Sequence, residues 1–419
     1  MKKENNLTNE IEKQITKIKK ADIAVAIPSY NNAHTIGYVL YQVAKGLKNY
    51  FPDKKAVIIN VDGGSTDGCP GVANAIKLPI EKIVCVYKAY RGIYGKGSAL
   101  RTAFEIADEL DVDVFAMTDS DVRSINQEWI KLLIEPVYHD HCDFVAPHYI
   151  RYKYDGTITN FVTYPFIRML FGKRIRQPIG GEFGLSKQCF KAILEHPLWE
   201  KPETSKYGID IFLTSTALGE KFTVHESILG IKVHDAKDPA LHLAPMFRQV
   251  VGSLFNAMNA FEDVWLEVTG SEVVHQYRGS IRYSHPEPFN VKVLNMIDLF
   301  VKGRSKYYNL LKSALPEKIF RKVISVPTLL EEYSFDSELW TDVAYNMTGA
   351  YFRSKDNREA ILDAFRLMWM GRVADFTIES MDLNNREAEH LIEEQSYIFE
   401  EKKPTLVELY KNAKKRYKS

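Results

Sequence analysis

The sequence predicts an α/β fold built on a mostly parallel, Rossmann-like sheet, with a helical region at its C-terminal end. Three observations carry this. Short apolar runs alternate with helical patterns through the first 120 residues, polar turns follow each run directly, and after His234 the pattern becomes almost wholly helical. The 419 residues are 45% hydrophobic and 26% charged, which suits a large globular core and excludes a disordered or fibrous chain.

Residues 1–20 place Leu7, Ile11, Ile15 and Ile18 at helical spacing among charged residues, an amphipathic N-terminal helix. Ile23-Ala24-Val25-Ala26-Ile27-Pro28 reads as a strand ended by Ser29-Tyr30-Asn31-Asn32, with a helix from about His34 to Leu47. Ala56 to Val61, Ile83 to Tyr87 and Val114 to Thr118 repeat the alternation. Four strand-then-helix units in a row imply a doubly wound sheet buried on both faces, whose ligands bind beyond the carboxyl ends of the strands.

From Phe144 the order changes. A strand runs into Tyr149, a polar excursion holds Asp155-Gly156, a helix reaches about Leu170, and a turn-rich stretch covers Gln177 to Glu182. Leu229 to His234 reads as a last strand, and Met246 to Phe261, Arg358 to Trp369 and Arg386 to Phe399 read as helices. The expected domains are the N-terminal helix at 1–20, an α/β domain at 21–290 and a helical region at 291–419. That tail is left to cover an acceptor or to form a homodimer interface.

Charge is balanced, 55 basic against 54 acidic residues, so no global field gathers nucleic acid or anionic lipid. Cys69, Cys85, Cys142 and Cys189 form no C-x-x-C pair, which argues against a zinc ribbon or disulfide scaffold and points to a reducing, cytoplasmic setting. The charged start of the chain and the lack of about 18 consecutive apolar residues predict neither export nor a membrane span.

Asp119-Ser120-Asp121 follows the fourth strand, so both carboxylates project into the expected cleft. Hard oxygen donors there suit Mg²⁺ or Mn²⁺ bound together with a substrate diphosphate. Asp111-Val112-Asp113 has the same spacing but precedes its strand, and reads as a solvated turn. Asp62-Gly63-Gly64-Ser65-Thr66-Asp67 follows the second strand, where Asp62 is placed to accept hydrogen bonds from a base or ribose. Tyr90 to Ser98 follows the third. Its Gly95-Lys96-Gly97 opens a helix where an anion or base could be met, without the spacing of a Walker loop. His234 closes the last strand, where an imidazole could complete a metal's coordination.

Taken together, these segments resemble the GT-A glycosyltransferases. Among them they are most similar to the retaining, glycerate-using group of the glucosyl-3-phosphoglycerate and mannosylglycerate synthases, over about residues 22–260. Gly95-Lys96-Gly97, Asp119-Ser120-Asp121, Gln177-Pro178-Ile179-Gly180-Gly181-Glu182, Tyr207-Gly208-Ile209-Asp210 and His234 occur in that group's order.

The resemblance implies a nucleotide-sugar site lined by Pro28, Tyr30, Asp62, Lys96, Asp119 and Ser120, and a Mg²⁺ or Mn²⁺ ion at Asp121, His234 and Asp119. It implies acceptor binding at Arg151, Asp155, Thr159, Gly180 and Gly181, with Gly180 and Gly181 offering backbone N–H groups to an anion. Glu182 and Asp210 would flank the sugar as the catalytic carboxylates.

The implied reaction is transfer of glucose or mannose, with retention, from a UDP- or GDP-sugar to a small anionic acceptor: glycerate, 3-phosphoglycerate or a glycosylated derivative, as in compatible-solute synthesis. The alternative is an inverting family-2 transferase acting on a lipid-linked or polysaccharide acceptor. Asp235-Ala236-Lys237-Asp238-Pro239 lacks the arginine and asparagine that phosphoglycerate users carry there, so Lys237, Arg174 or Arg176 would have to supply that charge.

Overall fold

The computed structural model describes residues 8–86, 93–234, 243–280 and 285–415. The chain forms two units interleaved in sequence. The first is Met1–Ile150, Gln177–Asp235 and Val274–Pro286; the second is Arg151–Arg176, Ala236–Val273 and Glu287–Ser419.

The strands are β1 (Ile23–Ser29), β2 (Ala56–Asp62), β3 (Glu81–Val86), β4 (Val114–Met117), β5 (Phe144–Ile150), β6 (Lys173–Arg174), β7 (Phe183–Ser186), β8 (Val224–Ile231), β9 (Glu272–Val273) and β10 (Gln276–Arg278). Eight of them form the sheet of the first unit, in the order β10-β8-β5-β7-β4-β1-β2-β3. Neighbours are parallel except at β7, which runs antiparallel to both β4 and β5. The α/β fold with a mostly parallel, mixed sheet and a helical C-terminal region is therefore as expected.

The helices joining these strands are α1 (Asn9–Ile18), α2 (Ile36–Tyr50), α3 (Cys69–Ala75), α4 (Lys96–Glu109), α5 (Gln127–His139), α6 (Tyr164–Phe171), α7 (Lys187–Glu195) and α8 (Ile209–Gly219). In α1 the predicted stripe buries Ile11 and Ile18, behind a Thr8 cap; Leu7 lies outside the described residues. Every residue of β1 is buried, which explains its continuous rather than alternating apolar pattern. Ile23, Val25 and Ile27 pack with Val39, Leu40, Val43 and Leu47 of α2 and with Trp129 and Leu133 of α5. Each such side chain contributes roughly 1.5–3 kcal/mol by leaving water.

Register brings the strand ends level. Ser29 sits opposite Asp62, and Thr118 donates from its N–H to the Ala26 carbonyl at 3.1 Å, so the loops after β1, β2 and β4 leave the sheet side by side. The last predicted strand is β8, which ends at Ile231 and leaves Lys232, Val233 and His234 as coil beyond its carboxyl end. β7 and β10 were not anticipated. The four cysteines are buried and unbridged, as expected.

In the second unit, long helices run over Ala244–Ala260, Val293–Lys306, Ser337–Arg353, Arg358–Glu379, Asn385–Glu401 and Lys403–Lys415. Two of the predicted helices fall within these, and the third, Met246 to Phe261, overruns the Ala244–Ala260 helix by its C-cap residue Phe261. Residues 151–176 belong here because their backbone is held by this unit's side chains. Trp340 donates its indole N–H to Phe161 O at 2.9 Å and Trp369 to Thr157 O at 3.3 Å. In return, Lys153 Nζ caps the end of the Arg358–Glu379 helix, donating to the carbonyls of Ser380 (2.6 Å), Met381 (3.0 Å) and Leu383 (2.7 Å). Among the described residues no helix is long and apolar enough to cross a membrane.

Candidate functional site

The loops after β1 and β2 are knitted together by side-chain to backbone bonds. Asn31 N donates to Ser65 Oγ at 2.7 Å, Thr66 N to Asn31 Oδ1 at 2.9 Å, and Ala33 N to Asp67 Oδ2 at 2.8 Å. Pro28 is buried at the end of β1, whereas Tyr30 is 61% exposed, an aromatic face held at the rim of the sheet.

Asp62 differs from expectation. It is fully buried and accepts from Ser29 Oγ, Gly64 N, Ser65 N and Ser65 Oγ at 2.7–3.1 Å. Four donors saturate a carboxylate. Asp62 therefore shapes its own turn, and no lone pair is left for a base or ribose.

The glycines around Lys96 also have another reason. Tyr87 to Gly92 lie outside the described residues. A Cβ on Gly95 would stand 2.9 Å from Lys206 Cα, and one on Gly97 2.9 Å from Ser205 C. Gly97 N and Ser98 N donate to Lys206 O and Ser205 O at 3.3 and 3.0 Å. The start of α4 thus spends these N–H groups on the segment before α8 instead of presenting them to an anion. Close approach of the two backbones sets Lys96 against Asp210.

From there a ladder of alternating charge runs across the carboxyl end of the sheet. Lys96 Nζ lies 3.0 Å from Asp210 Oδ2 and 2.7 Å from Asp119 Oδ1. Lys232 Nζ lies 3.0 Å from Asp119 Oδ2 and 2.9 Å from Glu182 Oε2, and donates to Gly180 O at 2.8 Å. Glu182 is fully buried; it also accepts from Asp119 N (3.1 Å), Thr118 Oγ1 (3.4 Å) and the Tyr149 hydroxyl.

Three carboxylates share two ammonium groups, and their proton affinities divide accordingly. Burial alone would weaken the Lys96 ammonium, but Asp119 and Asp210 overturn this and raise its pKa. Burial works against ionised Asp119 too, yet Lys96 and Lys232 outweigh it and hold the carboxyl well below the usual range. At the two ends burial prevails over one lysine each, assisted by repulsion from Asp119, so Glu182 and Asp210 are both raised. Asp210 Oδ1 is buried and has no hydrogen-bond partner among the described residues. A buried orphan acceptor is costly, and a ligand hydroxyl would satisfy it.

These contacts correct the role expected of Glu182. Its oxygens face four protein donors, so it organises the site and does not flank a sugar. Gly180 N donates to Gln177 O at 3.1 Å and is not offered to an anion. Lys232 and Tyr149 escaped sequence reasoning. A lysine inside Leu229-Gly230-Ile231-Lys232-Val233 was nevertheless a usable signal, because lysine at a buried strand end requires a carboxylate partner.

Asp121 and His234 occupy neighbouring loops. Two residues beyond Asp121, Arg123 N donates to Val233 O at 2.9 Å, while Val233 N donates to Ser124 Oγ at 2.9 Å. Ser120 Oγ donates to Asn32 Oδ1 at 2.7 Å and ties the loop to the end of β1. Among the described residues no three His, Cys, Asp or Glu side chains are gathered as a metal nest. Both Asp119 oxygens are already paired with lysines, so the expected ligand set shrinks to Asp121 and His234. Such a pair fits an ion that takes one or two protein ligands and fills its shell with phosphate oxygens and water. The other D-x-D is a solvated turn: Asp111 bonds to Lys187 and Lys20, which hold it down to about 2.

Arg151, Asp155 and Thr159, expected to bind the acceptor, lie in the second unit. Arg151 Nη1 bonds Asp155 Oδ2 at 3.0 Å, and Thr159 is buried in a π-helical turn, Thr159–Thr163. Arg176 is buried against both oxygens of Glu389 and bonds Asn160 Oδ1 at 2.8 Å, and Arg174 donates to Ser271 Oγ at 2.9 Å. Arg176 is therefore engaged within its own unit. Lys237 and its neighbours from Asp235 to Pro239 are outside the described residues.

Residues 24–200 match the family model described as Glycosyl transferase family 2. Among solved structures, the chain is similar to glucosyl-3-phosphoglycerate synthase from Mycobacterium tuberculosis in complex with Mg²⁺ and uridine diphosphate. The identity is 21% over 59% of this chain and 83% of that one, with a TM-score of 0.46. The same synthase in complex with phosphoglyceric acid is 21% identical over 61% and 85% of the two chains, TM-score 0.46. With Mn²⁺, uridine diphosphate and phosphoglyceric acid it is 20% identical over 59% and 82%, TM-score 0.44. No curated protein matches the chain.

Proposed function

We propose that this chain, whose residues 24–200 match the family-2 glycosyltransferase model, moves glucose or mannose with retention from a UDP- or GDP-sugar to glycerate, 3-phosphoglycerate or a glycosylated derivative. The observation that carries the reading is Asp210 Oδ1, a buried and unsatisfied acceptor held beside Lys96 and Asp119 where the strand ends meet. A sugar or acceptor hydroxyl is the kind of donor that would complete it. The ordered motifs from Gly95-Lys96-Gly97 to His234 supply the retaining, glycerate-type part of the reading.

In this reading Tyr30 offers its exposed ring to the nucleotide base, Pro28 and Ser120 shape the adjoining wall, and Lys96 faces the donor. Asp119 lies between its two lysines and orients the nucleotide side of the site. Asp121 and His234 would hold Mg²⁺ or Mn²⁺, which supplies charge neutralisation for the departing diphosphate. Asp210 orients the reacting hydroxyl.

The test is a panel of UDP- and GDP-sugars against glycerate, 3-phosphoglycerate and their glycosides, with Mg²⁺ or Mn²⁺, followed by NMR of the product's anomeric configuration. Release of UDP or GDP dependent on such an acceptor, with retention, is the expected result. Release only with lipid-linked or polymeric acceptors, or an inverted product, would replace the reading.

A further inference from the structure

We infer that Lys232 is a positioning residue of the donor site, holding Asp119 in place while serving as the buried counter-ion of Glu182. Its side chain is only 5% exposed, and its ammonium meets three groups from two segments: Asp119 after β4, and both Glu182 and the Gly180 carbonyl in the turn before β7. It also lies over the Tyr149 ring, 5.3 Å from the centroid. This rests on the proposed function insofar as Asp119 serves the nucleotide.

The geometry explains why one lysine serves both carboxylates. Glu182 reaches back to the Asp119 N–H at 3.1 Å, so the two acids are joined through backbone as well as through Lys232. With the ammonium removed, Glu182 would be left as a buried carboxylate beside Asp119, and Asp119 would keep Lys96 alone and turn toward it. Breaking a buried pair by deleting one member is destabilising because of the charge left behind; deleting both members is far less so. Stability and nucleotide binding can therefore be separated.

The experiment compares the full chain with K232M, K232R, E182Q/K232M, D119N and D119N/K232M. Thermal midpoints are measured for all, and titration with UDP and GDP in Mn²⁺ for the first four. K232M is expected to melt lower and to bind nucleoside diphosphate about 10- to 100-fold more weakly, the loss expected when a charged hydrogen bond that orients a binding residue is removed. E182Q/K232M recovers the midpoint but not the affinity, and K232R recovers most of both. K232M and D119N are non-additive in stability.

An E182Q/K232M protein that binds nucleotide like the unaltered chain would overturn the inference, as would additive K232M and D119N effects. Should K232M fail to fold, E182Q/K232M carries the binding arm. If the unaltered chain binds neither UDP nor GDP while the stability cycle still shows coupling, the donor reading falls and the Lys232 clamp stands.

Discussion

Gly181 and Asp119 are packed so closely that no side chain fits between them. A Cβ on Gly181 would stand 2.9 Å from Asp119 Cγ and closer still to Oδ2, and Gly181 also has φ +93°. Gly181→Ala should therefore displace Asp119 from its lysines as well as strain the backbone, at about 1–3 kcal/mol for the strain alone. The expected result is a lower melting temperature and weaker UDP or GDP binding, read by calorimetry. Unchanged nucleotide affinity would show that the position of Asp119 does not matter to the donor.

Asp121→Ala and His234→Ala test the metal pair. Each should abolish the response of nucleotide binding to Mn²⁺ while leaving the thermal midpoint within a few degrees, since neither residue is part of the buried ladder. Asp119→Asn should behave differently, losing stability through its two lysines. Equal Mn²⁺ dependence in the Asp121 variant and the unaltered chain would remove Asp121 from the ligand set.

Asp210 predicts a pH signature with a definite sign. Its carboxyl is raised in the fold, mainly by burial, above the roughly 3.9 of an unfolded aspartate. Between those two values the folded chain binds more protons, so this group's contribution to stability falls as pH rises through the window. In Asp210→Asn that fall is absent. The midpoint of the unaltered chain relative to the variant should therefore drop from about pH 4 upward, and a constant difference across the titration would contradict it.

Lys403 supplies a second signature, in the helical unit. Its ammonium is buried against the Trp265 and Val268 carbonyls at 2.7 and 2.5 Å, and burial lowers its pKa to about 8. An unfolded lysine titrates near 10.4. Between about 8 and about 10.4 the unfolded chain holds the extra proton, so this group's contribution rises with pH over that window. Lys403→Met should remove the rise, as seen in thermal midpoints measured from pH 7 to 10.5.

How much could be read from the chain depends on what each residue answers to. β1, β2 and β4 were legible because a strand buried on both faces must be continuously apolar. β7 was not, since it spans only Phe183–Ser186 and contains Gly184, whose missing side chain makes room for the backbone of Leu133 in α5. Position after a strand located Asp119 and Asp121 at one end of the sheet, whereas Asp210, in the first turn of α8, was offered only by the motif order of the resembled family. It could not tell which carboxylate would be spent on protein donors. Asp62 and Glu182 look like ligand contacts by spacing alone, and only the three-dimensional supply of donors around them shows otherwise. Lys232 reaches Asp119, and Lys96 reaches Asp210, because of packing between segments more than 100 residues apart.

The interleaving of the two units has a consequence for biosynthesis. The segment Arg151–Arg176 leaves the ribosome long before the residues that hold it. Trp340 follows Phe161 by 179 residues, and Trp369 follows Thr157 by 212. Meanwhile β10 at 276–278 must emerge before the sheet of the first unit has its last strand. Nascent chains should therefore carry an apolar helix, Tyr164–Phe171, without its partners for much of translation. Synthesis rate and chaperone supply, more than final stability, should govern the yield of active protein.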